Sequence, residues 1–179
     1  KACLLEEEVR PYLNMSETRA REIMSRLQKQ DYSDYLELNG IMQESVVRAQ
    51  AIRVFLARQM VSSGVEIEAT SSIPAGHYSG SSEELIERQK NRMARFYLFH
   101  KARTNLDTPD RKSKVFELFE KKAQRIENNY LFLTMEDVPM SQDRVEYLLT
   151  LRILKSLAKS LDTHTSFFSP EEAYEMRMT

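Results

Sequence analysis

From Asp31 to Ser62, apolar side chains return every three or four residues: Tyr35, Leu38, Met42, Val46, Ala49, Ile52, Phe55 and Met60, with Arg48, Arg53 and Arg58 between them. That spacing is the period of a helix with one buried face, so it predicts a long amphipathic helix. Asn39-Gly40 lies inside it. A glycine in a helix interior costs about 1 kcal/mol relative to alanine, so the pair marks a point of break or kink in what is expected to be one helix. The pattern then stops at SGVEIEATSSIPAGHYSGSS, Ser63 to Ser82, which holds three of the chain's four glycines and predicts its one long loop.

Beyond the loop, Ser81 and Glu84 have the spacing of a capping box, and the helix they open has no breaker before about Thr104. Thr108-Pro109 opens the next. There Val115, Phe116, Phe119, Ala123, Ile126, Tyr130 and Leu133 line one face, with Lys112, Lys114, Lys121 and Lys122 on much of the other. A fourth strong helix starts near Ser141 and carries Val145, Leu148, Leu149, Leu157 and Leu161 in one stripe, with Arg152 at its border. Ser169-Pro170-Glu171-Glu172 reads as a cap and first turn, its acids placed to favour the helix dipole. Shorter helices are expected over Glu6 to Leu13 and Glu17 to Lys29, and an alternating pattern appears only at Val65 to Ala69. The fold class is therefore all-α: about six helices in a single bundle-like or elongated domain, with one long loop near residues 63–82 and no internal repeat.

Composition adds limits. The 179 residues are 41% hydrophobic and 30% charged, a balance that permits a real core, while a mean hydropathy of -0.53 requires a polar surface. With 26 basic and 27 acidic side chains the formal net charge is -1, so no global field recruits nucleic acid or an anionic membrane. The single cysteine, Cys3, cannot close an internal disulfide or build a zinc site alone. No run of eighteen apolar residues occurs, so no membrane span is expected.

Candidate chemistry is sparse. His77, His100 and His164 lie far apart and lack a metal-binding helical spacing, so no metal site and no cofactor are expected. Glu6-Glu7-Glu8 is a solvated first turn, since adjacent helical carboxylates diverge. The stretch from Arg88 to Lys114 is dense in lysine and arginine against Asp107 and Asp110, and Phe96, Tyr97 and Phe99 lie within it. Those are the residue types of a single-strand binding surface, although aromatics at helical spacing more often build a core. No phosphate-binding glycine loop, nucleophile elbow or CxxC is present. SLDTHTSFFSPEEA, Ser160 to Ala173, crowds Ser, His and Asp together, but a catalytic triad is defined by geometry and not by proximity along the chain. No catalytic, cofactor-binding or metal residue is assigned.

One segment goes further. Arg144 to Met176, RVEYLLTLRILKSLAKSLDTHTSFFSPEEAYEM, resembles the stretch that precedes the PDZ domain in tail-specific, or carboxy-terminal processing, serine proteases. There a helix runs into a Leu-Asp-Pro-His-Thr/Ser-x-aromatic/Leu-Ser-Pro box, matched by Leu161, Asp162, His164, Thr165, Phe167, Phe168, Ser169 and Pro170, with Thr163 in place of the proline. KACLLEEEVRPYL, Lys1 to Leu13, is similar to a second, weaker family segment inside the helical N-terminal domain.

The resemblance implies that residues 1–160 form a helical N-terminal domain lacking the family's first helices, and that 161–179 form a junction and short helix leading toward an absent PDZ domain. It implies a chain that is inert alone, from a parent that hydrolyses peptide bonds in proteins with unstructured C-terminal tails. The parent's serine nucleophile and lysine base would lie downstream, so the serines of the junction, Lys155 and Lys159 are not promoted to those roles. Implied partners are the PDZ and protease modules of the same parent chain, protein substrates, an adaptor protein and a second copy in a homodimer. The implied location is the periplasm or the periplasmic face of the inner membrane. On this reading Asp162, Thr165, Ser166 and Ser169 supply turn and cap hydrogen bonds, Phe167 and Phe168 anchor the turn on apolar surface, and His164 ties it to a neighbour. A free-standing helical adaptor or chaperone-like module is the alternative, and a weak nucleic-acid-binding domain stands third.

Overall fold

The computed structural model describes residues 3–62, 67–69, 77–104, 106, 108–134, 136–161 and 165–178. They are all-helical: α1 (Glu6–Leu13), α2 (Glu17–Gln28), α3 (Ser33–Ser62), α4 (Ser82–Lys101), α5 (Pro109–Leu131), α6 (Gln142–Leu161) and α7 (Pro170–Met178). Among the described residues β-pairing is limited to two isolated bridges, Leu5 with Ser79 and Leu133 with Pro139. Val65 and Glu66, the start of the alternating stretch, lie outside the described residues.

Local chemistry sets the helix ends. The Ser16 hydroxyl accepts from the Arg19 N–H at 3.2 Å at the start of α2, and the Ser81 hydroxyl does the same for the Glu84 N–H at 3.2 Å at the start of α4. The Glu84 carboxylate reaches one residue further back than a capping box requires, accepting from the Gly80 N–H at 2.8 Å. Proline occupies the first position of both α5 and α7, where a missing N–H costs no helical bond. α2 ends with Gln30 in the left-handed region at φ 62°, and the Asp31 N–H returns to the Arg26 carbonyl at 3.0 Å. α3 runs through Asn39-Gly40 as one helix, as its periodicity predicts.

The chain divides into two compact units, Lys1–Leu131 and Phe132–Thr179. The division follows α5, ahead of the residue-160 boundary expected from the resemblance. In the first unit α3, α4 and α5 pack against one another. Leu56 and Met60 from α3, Met93, Ala94 and Tyr97 from α4, and Val115, Phe116 and Phe119 from α5 form one buried cluster, joined by Ile67 and Leu106. The Tyr97 and Phe116 rings stack at 5.7 Å, and Phe96 meets Phe119 edge-on at 5.2 Å. The Glu6 N–H donates to the Ser79 carbonyl at 2.8 Å, tying the start of α1 to the segment before α4.

Two expected core positions move. Phe55 is 58% exposed and Leu56 is buried in its place; Ile126 is 65% exposed and Glu127 is buried instead. The buried line of α3 runs Val46, Ala49, Arg53, Leu56, Met60, a regular three-and-four spacing with an arginine at its centre.

The second unit holds α6 and α7. Phe132 and Asp137 are both left-handed, at φ 56° and 59°, and the turn between them is closed by Thr134 N–H to Val138 carbonyl and Met140 N–H to Phe132 carbonyl, each 2.8 Å. Arg152 of α6 lies over the Phe132 ring at 5.5 Å, and Ile153 is buried.

Candidate functional site

The most elaborate side-chain arrangement is inside the three-helix unit, on residues that carried no assignment in the sequence. Arg53, 1% exposed, is held by two carboxylates of α5. Its Nε and one terminal nitrogen donate to Glu120 at 2.7 and 2.8 Å, and both terminal nitrogens donate to Glu127 at 2.8 and 2.6 Å. Burial would drive the guanidinium pKa down, but the hydrogen bonds to Glu120 and Glu127 outweigh it and raise it further above its ordinary value. Gln50 adds a donor to Glu127 at 3.3 Å. Arg53 is permanently charged and fully engaged, so it offers neither a base nor a free anion site.

A cavity of about 430 Å³ opens beside this cluster, lined by apolar Val54, Ala57, Val61, Met93 and Phe116 and edged by Arg53, Arg58, Ser113, Glu117 and Glu120. The Ser113 hydroxyl bonds to Glu117 at 3.2 Å, one turn along α5. No imidazole or amine base lines the cavity, so it has the character of an apolar recess with a charged edge. It does not assemble a nucleophile with a proton acceptor of matched pKa.

Three further ion pairs fasten the short helices. Arg48 donates to Glu8 at 2.7 and 2.9 Å and to the Cys3 carbonyl at 3.0 Å. Burial pushes the Glu8 carboxyl up, but Arg48 and the Leu5 N–H more than offset this and hold it below its usual range. Arg26 grips Asp34 with two bonds of 2.7 and 2.8 Å, and Arg19 adds a third at 3.2 Å. The hydrogen bonds from Arg26 hold that carboxyl low. The Cys3 thiol is pushed up, chiefly by burial and then by Glu127, which disfavours the thiolate.

The junction segment is built as a helix end and a helix start. The Ser160 hydroxyl donates to the Leu157 carbonyl at 2.7 Å inside the last turn of α6. Asp162, Thr163 and His164 lie outside the described residues. Ser169 is buried, and it exchanges two bonds with Glu172: the Glu172 N–H donates to its hydroxyl at 3.2 Å and its own N–H donates to the Glu172 carboxylate at 2.9 Å. Glu172 also accepts from Lys155 at 2.6 Å, and this pair, with the Ser169 N–H, keeps its carboxyl low. Lys155 is thus tied as a charged partner between α6 and α7. Phe167 and Phe168, expected to anchor the turn on apolar surface, are 37% and 48% exposed. They project from a stretch without regular structure, where no helical face carries them inward.

The other sequence candidates separate. The His77 carbonyl accepts from Arg88, which also pairs with Glu84 at 3.0 Å and is buried, so Arg88 does not join a surface stripe. Arg103 lies over the Phe99 ring at 3.8 Å, and His100 packs against Phe96 at 4.6 Å. Among the described residues no group of three His, Cys, Asp or Glu could hold a metal ion. No described helix is long and apolar enough to cross a membrane. No protein-family model matches the chain, and a search of curated proteins finds no match either.

The Arg53 cluster carried a weak signal in the sequence. Glu120 and Glu127 stand seven residues apart, two helical turns, on the flank of the apolar face of α5, and an arginine occupies a core-spaced slot of α3.

Proposed function

We propose that this chain is the non-catalytic helical N-terminal region of a tail-specific, PDZ-containing serine endopeptidase exported to the periplasm. Its role is to dock against the PDZ and protease modules of the same parent and to shape the route by which unstructured C-terminal tails reach the site. The observation that carries the reading is the junction itself. The residues that resemble the family box include Leu161, which ends α6, and Ser169-Pro170, which start α7 through a reciprocal Ser169–Glu172 cap. Of the described polar residues there, Ser169 and Glu172 cap α7 and Glu172 pairs with Lys155, which links α6 to α7.

Two measurements test it. The isolated chain is expected not to hydrolyse a casein-like unfolded protein; hydrolysis that disappeared with Ser166→Ala or His164→Ala would overturn the reading. The parent open reading frame is expected to encode a PDZ-like domain after Thr179 and then a serine and a lysine in a separate core, and a frame without them removes the protease assignment. The adaptor alternative draws on the exposed apolar side chains Val47, Phe55, Phe99 and Ile126. That alternative predicts a folded, peptide-binding module with no downstream protease.

A further inference from the structure

The recess beside Arg53 combines an apolar body with two uncompensated charges at its mouth. Asn39 reaches the Tyr130 carbonyl at 3.3 Å and Arg53 reaches Glu120, so α3 and α5 run antiparallel past it. Val54, Ala57 and Val61, spaced three and four residues apart, make the α3 wall; Phe116 of α5 and Met93 of α4 complete it. Met93 and Phe116 are 1% and 3% exposed, whereas Val54 is 46% exposed, so the recess is closed at its base and open along the α3 lip. Its volume of about 430 Å³ is at the small end for ligand sites and holds one large side chain with a short polar head. A thioether and a phenyl ring at the base favour an aromatic body, through sulfur–aromatic and ring–ring contacts.

The charges at the mouth select the head. Of the four that line it, Arg53 and Glu120 are already joined at 2.7 and 2.8 Å. The other two face solvent on opposite lips. The Arg58 guanidinium, on α3, has no ion pair or hydrogen bond among the described residues. Glu117, on α5, accepts from the Ser113 hydroxyl at 3.2 Å, a neutral donor that leaves its charge uncompensated.

A ligand bearing only a carboxylate would meet Arg58 but set its charge against Glu117, and one bearing only an amine would meet Glu117 but repel Arg58. A free amino acid carries both charges and its side chain on a single carbon, an arrangement that matches the two lips and the apolar body together. We propose that the recess binds a free amino acid with a large apolar side chain, phenylalanine above all. Its ring lies against Met93 and Phe116, its carboxylate on Arg58 and its ammonium on Glu117. The site does not depend on the protease assignment, since it is built wholly from α3, α4 and α5 and would be the same in any parent. With one side chain to bury and both charges exposed, a dissociation constant of about 1 mM is expected.

An NMR titration of the whole 179-residue chain with phenylalanine reads both place and affinity. Amide shifts should concentrate at Val54, Ala57, Arg58, Met93 and Phe116 and saturate. N-acetyl-phenylalanine, without the ammonium, and phenethylamine, without the carboxylate, should each bind at least about fivefold more weakly. Arg58→Gln should weaken phenylalanine by about fivefold and erase its advantage over phenethylamine, and Glu117→Gln should do the same against N-acetyl-phenylalanine. Both positions are exposed, and the spectrum of each variant verifies its fold. Ala57→Leu should fill the recess and abolish binding; if it unfolds the chain, the two charge variants decide alone. Absence of shifts at the recess with about 10 mM phenylalanine overturns the proposal. So does binding indifferent to both charge variants, and so does N-acetyl-phenylalanine binding as tightly as phenylalanine, which would make a chain's C-terminal residue the occupant.

Discussion

Removing the guanidinium of Arg53 would leave Glu120 and Glu127 facing each other at the edge of an apolar core, with Gln50, among the described residues, to donate to one of them. Deleting one partner of a buried ionic group costs about 3–5 kcal/mol, because the remaining charges keep their desolvation without their counterion. Arg53→Met is therefore expected to lower stability by about that amount. Arg53→Lys should recover little, since one ammonium cannot span two carboxylates bidentately. Urea midpoints for the three proteins decide it, and a loss under about 1 kcal/mol would mean that water already reaches the cluster. The pairs that fasten α1 and α2 bear on acid stability instead. Asp34 and Glu8 both have carboxyls held below their ordinary range in the folded chain. Each therefore contributes stability that is complete above the unfolded carboxylate value of about 4 and is lost as pH falls through the depressed folded value. Asp34→Asn should flatten the fall in unfolding midpoint between about pH 5 and about pH 2, while leaving the dependence that comes from the other lowered carboxyls, Glu8 and Glu172 among them. An unchanged slope would remove Asp34 from the account.

At the scale of the helix, ends and faces were unequally legible. The capping serines, the prolines at 109 and 170 and the glycine-rich break after Ser62 are local signals, and the observed helices begin and end within a residue or two of them. Faces were harder, because a hydrophobic period is counted by residue type. Arg53 occupies a core slot that its type disqualifies, so a count of apolar types runs the line of α3 through Phe55, one residue short of the buried Leu56. The same happened on α5, where Glu127 is buried as the acceptor for Arg53, and Ile126 beside it faces outward. Each error is half of one ion pair between helices, and no reading of either helix alone could supply the partner. The candidate site was illegible for that reason, whereas the Ser169 cap lies within four residues and could be read. A turn offers the matching prediction. Gln30 ends α2 with φ 62°, a conformation that costs a side-chain-bearing residue about 1–2 kcal/mol. Gln30→Gly should relieve part of that strain, partly offset by the greater freedom of glycine in the unfolded chain, and raise the thermal midpoint. A lower midpoint would show that the Gln30 side chain contributes more than its backbone costs.

On the scale of the whole chain, the packing divides after Leu131, and the described buried cluster of the first unit is drawn from residues ahead of that point. Leu56, Met60, Met93, Tyr97, Phe116 and Phe119 share one buried cluster with Ile67 and Leu106, and the Arg53 cluster lies within α3 and α5. α1 and α2 are tied in by Glu8–Arg48 and Asp34–Arg26, which are also internal to residues 1–131. A domain of this size buries enough surface to fold alone. Residues 1–131 produced by themselves are therefore expected to keep a cooperative thermal transition close to that of the full chain. Among the described residues of 132–179, Ile153 is the buried hydrophobic one, and the Lys155–Glu172 pair and the Ser169 cap join the two helices, so as a peptide they should show only partial helicity. In the full chain, Ser169→Ala should cost about 1 kcal/mol locally and raise amide exchange at the start of α7 while leaving the transition of the first unit unmoved. Hydrogen exchange with peptide resolution reads both. If Ser169→Ala lowered protection throughout α3, α4 and α5, the two units would be one cooperative body.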